Sequence, residues 1–466
     1  MKKIILIFLV ALTSLSIYAQ DISGKWSGIL KVQGIQLRIV FNITKTENGY
    51  SSTMDSPDQG AKGIPVTSIS YKDSLLKIEL SNFGITYEGT LNKESAFAGT
   101  FIQYGQSFPL VLIKGEVEKE KVIRPQEPVK PYPYYSEDVK FENAKDKIVL
   151  AGTLTLPRKE GLFPAVVLIS GSGPENRDEE VFGHKPFLVL ADYLTKSGIA
   201  VLRFDDRGTG ESTGDFKSAT TFDFATDVES AVKYLKTRDE IDKKHIGLIG
   251  HSEGGIIAPI VASGSKEISF IVLLAAPGIR GDKLLLMQQE LIGKASGMSD
   301  KEIKQTIAIN KTAFDIILKS NNSDSLKKEL TGYFKQTVKE NPGYNIPPGM
   351  SEDDYVKLQV GNLASPWMTT FIKYDPSLAL EKVKCPVLAL NGEKDLQVPA
   401  KVNLSAIKKA LEKSGNKDVT VKEFPGLNHL FQECKTGLPS EYATIEQTIS
   451  PAVLKEIRNW ILERVK

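Results

Sequence analysis

From about Tyr135 to the C-terminus, short unbroken apolar runs alternate with longer amphipathic stretches. AVVLIS (165–170), IAVLRFD (199–205), IGLIG (246–250), FIVLLAA (270–276) and PVLALNG (386–392) lack the polar alternation of a strand with one wet face. Apolar runs of this length are typical of strands buried on both sides of a parallel sheet. PFLVLADYLTKSG and TFDFATDVESAVKYLKTR lie between such runs and place apolar residues at i, i+3 and i+4, the helical repeat. Repeated strand–helix units in one sheet predict an α/β domain over 135–466, mostly parallel, with helices on both faces.

The rhythm breaks at about 280–378. LLLMQQELIGKA, EIKQTIAINKTAFDIILK and SLKKELTGYFKQTVKEN all have a helical pattern. A helical insertion between two core strands predicts a cap over the strand ends.

At 466 residues the chain is too long for one core, and residues 20–115 have a different texture. LRIVFNI, VTSISY, LLKIEL, ITYEGTL, FAGTFIQ and FPLVLIK alternate apolar and polar positions between turn residues, and GKWSGILKV starts the series at Trp26. About eight such strands at roughly ten-residue spacing predict an all-β barrel or sandwich. Tyr50, Tyr71, Tyr87 and Tyr104 are scattered through it; packing in the core and rim explains them more simply than a binding face does. The charged, proline-bearing segment 116–134 between the two regions is expected to be a linker.

The first nineteen residues join Lys2 and Lys3 to an apolar run and end on small residues at Ala19. That pattern predicts a secretory signal peptide cut after Ala19, and so an exported protein. A membrane anchor is the alternative, but the run is short for a span and no second run of about 20 apolar residues follows. The chain has 59 basic and 57 acidic residues, and without Lys2 and Lys3 the two counts are equal. A balanced chain without a basic run gives no reason to expect a nucleic-acid or anionic-membrane partner. Cys385 and Cys434 are the only cysteines. A disulfide and two separate thiols are both open, and two cysteines are no framework.

Gly250-His251-Ser252-Glu253-Gly254 fits G-x-S-x-G, placed after an apolar strand and before a helical run. A serine there is a candidate nucleophile if the rest of the chain supplies a base, an acid and oxyanion donors. Four histidines are available. His245 opens the strand, far from the turn. His251 adjoins Ser252, and its side chain is expected to point away from where a base must stand. His184 precedes the first helix, where a surface role fits better than lining the site. His429, in FPGLNHLF past the last strand-like run, VTVKEF, remains as the base. The acid should follow a strand between Ser252 and His429. Asp395 in PVLALNGEKDLQVP does so, ahead of Asp375 beside a proline and of Glu393. Oxyanion donors are expected from the N–H of Glu253 and from the loop Ser170-Gly171-Ser172-Gly173-Pro174. In that loop Ser172 N–H is preferred, with Gly171 as its neighbour. DDRGTGES (205–212) is a structured loop in which Asp206 and Arg207 could pair. It is no phosphate loop, since no Gly-Lys-Ser/Thr follows. No metal-ligand spacing occurs, and no cofactor is expected.

SGSGPENRDEE, RFDDRGTGESTG, GHSEGG, SPWMTTFIKYDP, CPVLALNGEKDLQVP and FPGLNHLFQ occur in this order. In them the region from about 135 onward resembles secreted α/β hydrolases of the EstD-type carboxylesterase group, related to the serine aminopeptidase and monoacylglycerol-lipase-like hydrolases. The resemblance implies a Ser252–Asp395–His429 triad under a helical cap. It also implies that Trp367 and Phe371 lie near the site, where pocket lining and core packing fit them equally. In place of the histidine of an HGGG-type oxyanion loop stands Ser170.

These features predict a serine hydrolase acting on a small-molecule carboxylic ester. A peptidase with the same triad and a non-catalytic binding protein using the β region are the alternatives. The natural substrate and the oligomeric state are not legible in the chain.

Overall fold

The computed structural model describes residues 21–465, except 33–34, 60, 104–105, 119–123, 342–345 and 347–349. The expected signal peptide, 1–19, and Tyr104 lie outside the described residues. The chain divides into two compact units, one built on residues up to 118 and one on residues from 124 onward.

The first unit consists of β1 (Gly24–Val32), β2 (Ile35–Thr46), β3 (Gly49–Ser56), β4 (Ala61–Pro65), β5 (Ser68–Lys72), β6 (Leu75–Leu80), β7 (Ile85–Leu91), β8 (Phe97–Gln103) and β9 (Gln106–Lys114). They form one antiparallel sheet in the order β4-β3-β2-β1-β9-β8-β7-β6-β5. The sequential meander thus joins its first and last strands and opens between β4 and β5. The turn at this opening is tied to both flanks: Val66 N–H donates to Ser52 O at 3.1 Å, and Thr67 N–H to Glu79 O at 2.7 Å. Alternate residues such as Phe41, Leu76, Ile78, Tyr87, Phe97 and Leu112 form one core, as the period-2 pattern requires. Tyr87 belongs to this core, its hydroxyl donating to Phe97 O at 2.9 Å.

In the second unit the strands are β10 (Tyr135–Asn143), β11 (Ile148–Leu156), β12 (Phe163–Ile169), β13 (Ala200–Phe204), β14 (Ile241–His251), β15 (Phe270–Leu274), β16 (Val387–Gly392) and β17 (Val419–Phe424). Their order is β10-β11-β13-β12-β14-β15-β16-β17. β11 runs antiparallel to both its neighbours, and from β13 to β17 every pairing is parallel. The helices are α1 (Pro186–Lys196), α2 (Thr221–Thr237), α3 (Gly254–Gly264), α4 (Gly281–Ala295), α5 (Asp300–Lys319), α6 (Ser323–Glu340), α7 (Glu352–Leu363), α8 (Pro366–Lys373), α9 (Ser377–Leu380), α10 (Ala400–Lys413), α11 (Pro439–Tyr442) and α12 (Pro451–Leu462). Ala165, Val167 and Ile169 of β12 face a core closed by α2, α3 and α10. Val166 and Leu168 face the opposite core, closed by α1 and α12. Burial on both faces explains why these strands read as continuous apolar runs.

α4 to α9 are inserted between β15 and β16. The insertion starts close to its own end: a β-carbon at Gly281 would stand 2.0 Å from Phe371 O of α8.

The sheet order also fixes where chemistry can occur. β12 is followed by β13 on one side and pairs with β14 on the other. Such a reversal opens a crevice at the carboxyl ends of the strands, where open α/β sheets bind ligands. The loop 170–174 leaves β12 there, and Ser252 follows β14.

Candidate active site

Ser252 sits in the turn between β14 and α3 with φ +52. A left-handed non-glycine backbone costs about 1–3 kcal/mol and persists only where its surroundings enforce it. Here they do. A β-carbon at position 250 would meet Gly254 O at 2.0 Å, and one at 254 would meet Ile169 O at 2.2 Å. Only glycine fits either place. Ser252 N–H donates to Leu274 O of β15 at 2.9 Å, which pins the turn to the sheet.

Asp395 lies in the turn after β16, and His429 in the loop after β17. His429 Nδ1 stands 2.8 Å from Asp395 Oδ2. The other carboxylate oxygen accepts the N–H groups of Gln397 and Val398, each at 2.8 Å. An ionised carboxylate only accepts, so Nδ1 carries the proton and Nε2 keeps a free lone pair. Asp375 instead accepts Ser377 N–H at 3.0 Å at the start of α9. Glu393 accepts Gly426 N–H at 2.9 Å.

The remaining histidines differ in part from the sequence reading. His245 pairs with Asp242 at 2.7 Å, earlier on β14. His184 is fully buried rather than on the surface, its ring bonded to Thr448 Oγ1 at 3.0 Å and to Tyr442 O at 2.9 Å. Burial pushes its pKa down to about 4. Its partners, Tyr442 at the end of α11 and Thr448 in the loop before α12, lie near the C-terminus and fold over it. His251 does not point away from His429. Its ring centroid is 4.8 Å from that of His429, and Nε2 donates to His429 O at 3.0 Å. Nδ1 faces Glu179 Oε1 at 2.8 Å.

The loop after β12 is held by carboxyl groups. Gly171 N–H donates to Glu179 Oε1 at 2.9 Å, Ser170 Oγ to Asp206 Oδ1 at 2.8 Å, and Glu175 N–H to Asp206 Oδ2 at 3.0 Å. With Gly171 N–H occupied, Ser172 N–H and Glu253 N–H have no acceptor among the described residues. The expected Asp206–Arg207 pair does not form. Arg207 reaches back to Asp227 at 2.7 Å and to Asp146 at 2.8 Å, while Asp206 supports the loop. Burial pushes the Asp206 carboxyl up to about 8, against its two hydrogen bonds. Glu175 is also raised well above the usual range, by burial and by the nearby Glu179, Asp206 and Glu253.

Glu253 brings a second group to the turn. Its carboxyl, pushed up to about 7 by burial, accepts Thr221 Oγ1 at 2.6 Å. Trp367 Nε1 of α8 reaches its two oxygens at 2.8 and 2.9 Å. Trp367 thus ties the helical insertion to the residue after Ser252, and it stacks on Phe371 at 5.4 Å between centroids. Phe371 packs with Ile256, Leu284 and Val398 in a small apolar cluster beside the turn.

Arg124 ties the approach to β10 to this region. Its guanidinium donates to Gly183 O at 3.1 Å and Ala443 O at 2.8 Å, and to Phe182 O and Ile445 O. Cys385 and Cys434 are free thiols. Among the described residues, no group of three His, Cys, Asp or Glu side chains is arranged to hold a metal ion. No helix among them is long and apolar enough to cross a membrane.

The strand order, the strained serine turn at the switch point and the insertion after β15 define the class of fold: this chain has the α/β-hydrolase fold. Residues 185–328 match the family model described as serine aminopeptidase, S33. Esterase EstD of Thermotoga maritima is 27% identical over 434 residues, covering 90% of this chain and 92% of that protein. Est1E from Butyrivibrio proteoclasticus, solved with ferulic acid bound, aligns with TM-score 0.40 and 19% identity over 70% of this chain and 99% of its own. An esterase of Pyrococcus furiosus aligns with TM-score 0.40 and 18% identity over 71% of this chain and 93% of its own.

Proposed function

We propose that this chain is a serine esterase that cleaves small-molecule carboxylic esters through an acyl-enzyme on Ser252. The observation that carries the reading is the His429–Asp395 hydrogen bond, made by loops from adjacent strands at the same sheet edge as the strained turn of Ser252. The similarity to Esterase EstD over most of both chains supports ester rather than other acyl substrates. In the proposed cycle His429 Nε2 takes the Ser252 proton as Oγ attacks the ester carbonyl. Asp395 holds the ring and stabilises its cation. The N–H groups of Glu253 and Ser172 receive the oxyanion, each contributing roughly 3–4 kcal/mol in the transition state. His429 then returns the proton to the leaving alcohol, and water repeats the sequence to release the acid. Trp367 and Phe371 border the acyl side. The enzyme is exported with residues 1–19 removed, a reading supported by the basic and apolar start of the chain.

The test is hydrolysis of a p-nitrophenyl ester series of increasing acyl length, beside aminoacyl p-nitroanilides, with Ser252→Ala as control. Ester turnover that vanishes in Ser252→Ala is the expected result. Preferential turnover of the anilides would make the enzyme a peptidase, and unchanged turnover in Ser252→Ala would end the serine mechanism.

A further inference from the structure

The residue before the nucleophile has no proton to transfer in the cycle above, yet it is among the most constrained in the site. His251 is 7% exposed and its partner Glu179 is 2% exposed. Nε2 lies 3.0 Å from the His429 carbonyl, which can only accept. Nδ1 lies 2.8 Å from Glu179 Oε1, and the same oxygen accepts Gly171 N–H at 2.9 Å. With Nε2 donating to the carbonyl and Gly171 N–H donating to Glu179 Oε1, the arrangement in which every short contact at that oxygen is a donation to it is an imidazolium against a carboxylate.

One oxygen of Glu179 thus joins two parts of the site. Through Gly171 it holds the loop that carries Ser172 N–H. Through His251 it holds the backbone of the base. Glu179 has φ +50, a left-handed conformation on a loop, so its own position is enforced by these contacts. The charged groups facing the pair are few. Asp395 and the His429 ring lie on the His251 side, and Glu175 lies on the Glu179 side with Asp206 and Glu253 beyond it. Burial disfavours the His251 cation, and Glu179 with the His429 carbonyl outweighs that, leaving the ring with a raised pKa.

We propose that Glu179 and His251 are positioning residues, a charged pair that fixes the oxyanion loop and the base at one spacing. The proposal rests on the reading of Ser252, His429 and Asp395 as the catalytic groups. Its consequence is specific. In Glu179→Gln the anion is lost and His251 becomes neutral with a single N–H. If the amide oxygen keeps the Glu179 Oε1 place, the single N–H serves either it or His429 O; if the amide turns its NH2 to Nδ1, His429 O keeps its donor but Gly171 N–H loses its acceptor, so either way one of the two loops loosens. Misplacing a reacting group by about 1 Å costs on the order of 10²-fold in rate.

The experiment has two arms. In the first, p-nitrophenyl butyrate hydrolysis is measured for the intact protein and for Ser252→Ala, Glu179→Gln, His251→Gln and the double Glu179→Gln/His251→Gln variant. Each single variant at the pair should lower kcat by about 10²-fold with KM little changed, and the double should be no worse than either single. Wild-type kcat in both single variants overturns the proposal, as does a loss confined to KM. In the second arm, ¹⁵N NMR of the four histidines in the otherwise unaltered protein reads the ring directly, with His251→Gln providing the assignment. His251 should carry protons on both nitrogens at neutral pH and become neutral in Glu179→Gln. A neutral His251 in the wild-type protein overturns the proposal even if a variant fails to fold. Activity that survives Ser252→Ala overturns the esterase reading instead, and the NMR arm still decides the ion pair.

Discussion

Asp395 accepts the Nδ1 proton of His429 at 2.8 Å with one oxygen, while two backbone N–H groups hold the other. The carboxylate is clamped before it touches the ring, so the ring has one tautomer and one orientation. Asp395→Asn should preserve the fold and lower kcat by about 10⁴-fold, because the amide favours the wrong tautomer. Asp375→Asn, which alters only the start of α9, should leave kcat near wild type. Steady-state kinetics on a p-nitrophenyl ester checks both.

The serine turn tolerates no side chain at its glycines. Gly254→Ala places a methyl 2.2 Å from Ile169 O, the last carbonyl of β12 before the loop 170–174. Backbone must move, at a cost of about 1–3 kcal/mol or more. Urea denaturation should show that loss, and esterase activity should fall further than the stability change explains, since the displaced loop carries Ser172 N–H, the oxyanion donor of the proposed cycle.

Trp367 and Glu253 make a contact whose worth depends on pH. The Glu253 carboxyl is held at about 7, and the indole N–H at 2.8 Å favours its charged form. Trp367→Phe leaves that charge short of a donor, a loss of about 1–3 kcal/mol where the group is ionised. The destabilisation should be larger about one pH unit above 7 than one unit below it. Equal losses at both would show that the indole acts through packing alone.

Asp206 makes a related prediction with a clear sign. Its carboxyl holds its proton up to about 8 in the folded chain, against 3.8 ordinarily. Within that window the folded state binds more protons than the unfolded state, so stability falls as pH rises. The contribution is fully present below the ordinary value and is lost as pH climbs through about 8. Thermal midpoints of wild type and Asp206→Asn, compared from acid to mildly alkaline pH, should show a flatter dependence in the variant.

Much of this was legible in the chain for a physical reason. A strand buried on two faces needs an unbroken apolar run, so β12 to β16 announce themselves. Ser252, Asp395 and His429 each follow a strand, which makes their order readable. β10 alternates instead, since it is an edge strand with one exposed face. The carboxylates were not separable in advance. In PENRDEE, Glu175, Asp178, Glu179 and Glu180 look alike, and only the folded loop turns Glu179 towards His251. His184 read as a surface residue because its partners, Tyr442 and Thr448, lie more than 250 positions away. The Trp367–Glu253 contact joins a helical insertion to the serine turn, and no local periodicity reports such a meeting.

A serine esterase mechanism requires that Ser252 become covalently acylated. A fluorophosphonate probe captures an activated serine as a stable adduct, and intact-mass measurement followed by peptide mapping locates it. One probe per chain is expected on the peptide bearing Ser252, with labelling lost in Ser252→Ala and strongly slowed in Asp395→Asn. No adduct, or an adduct on another residue, would contradict it.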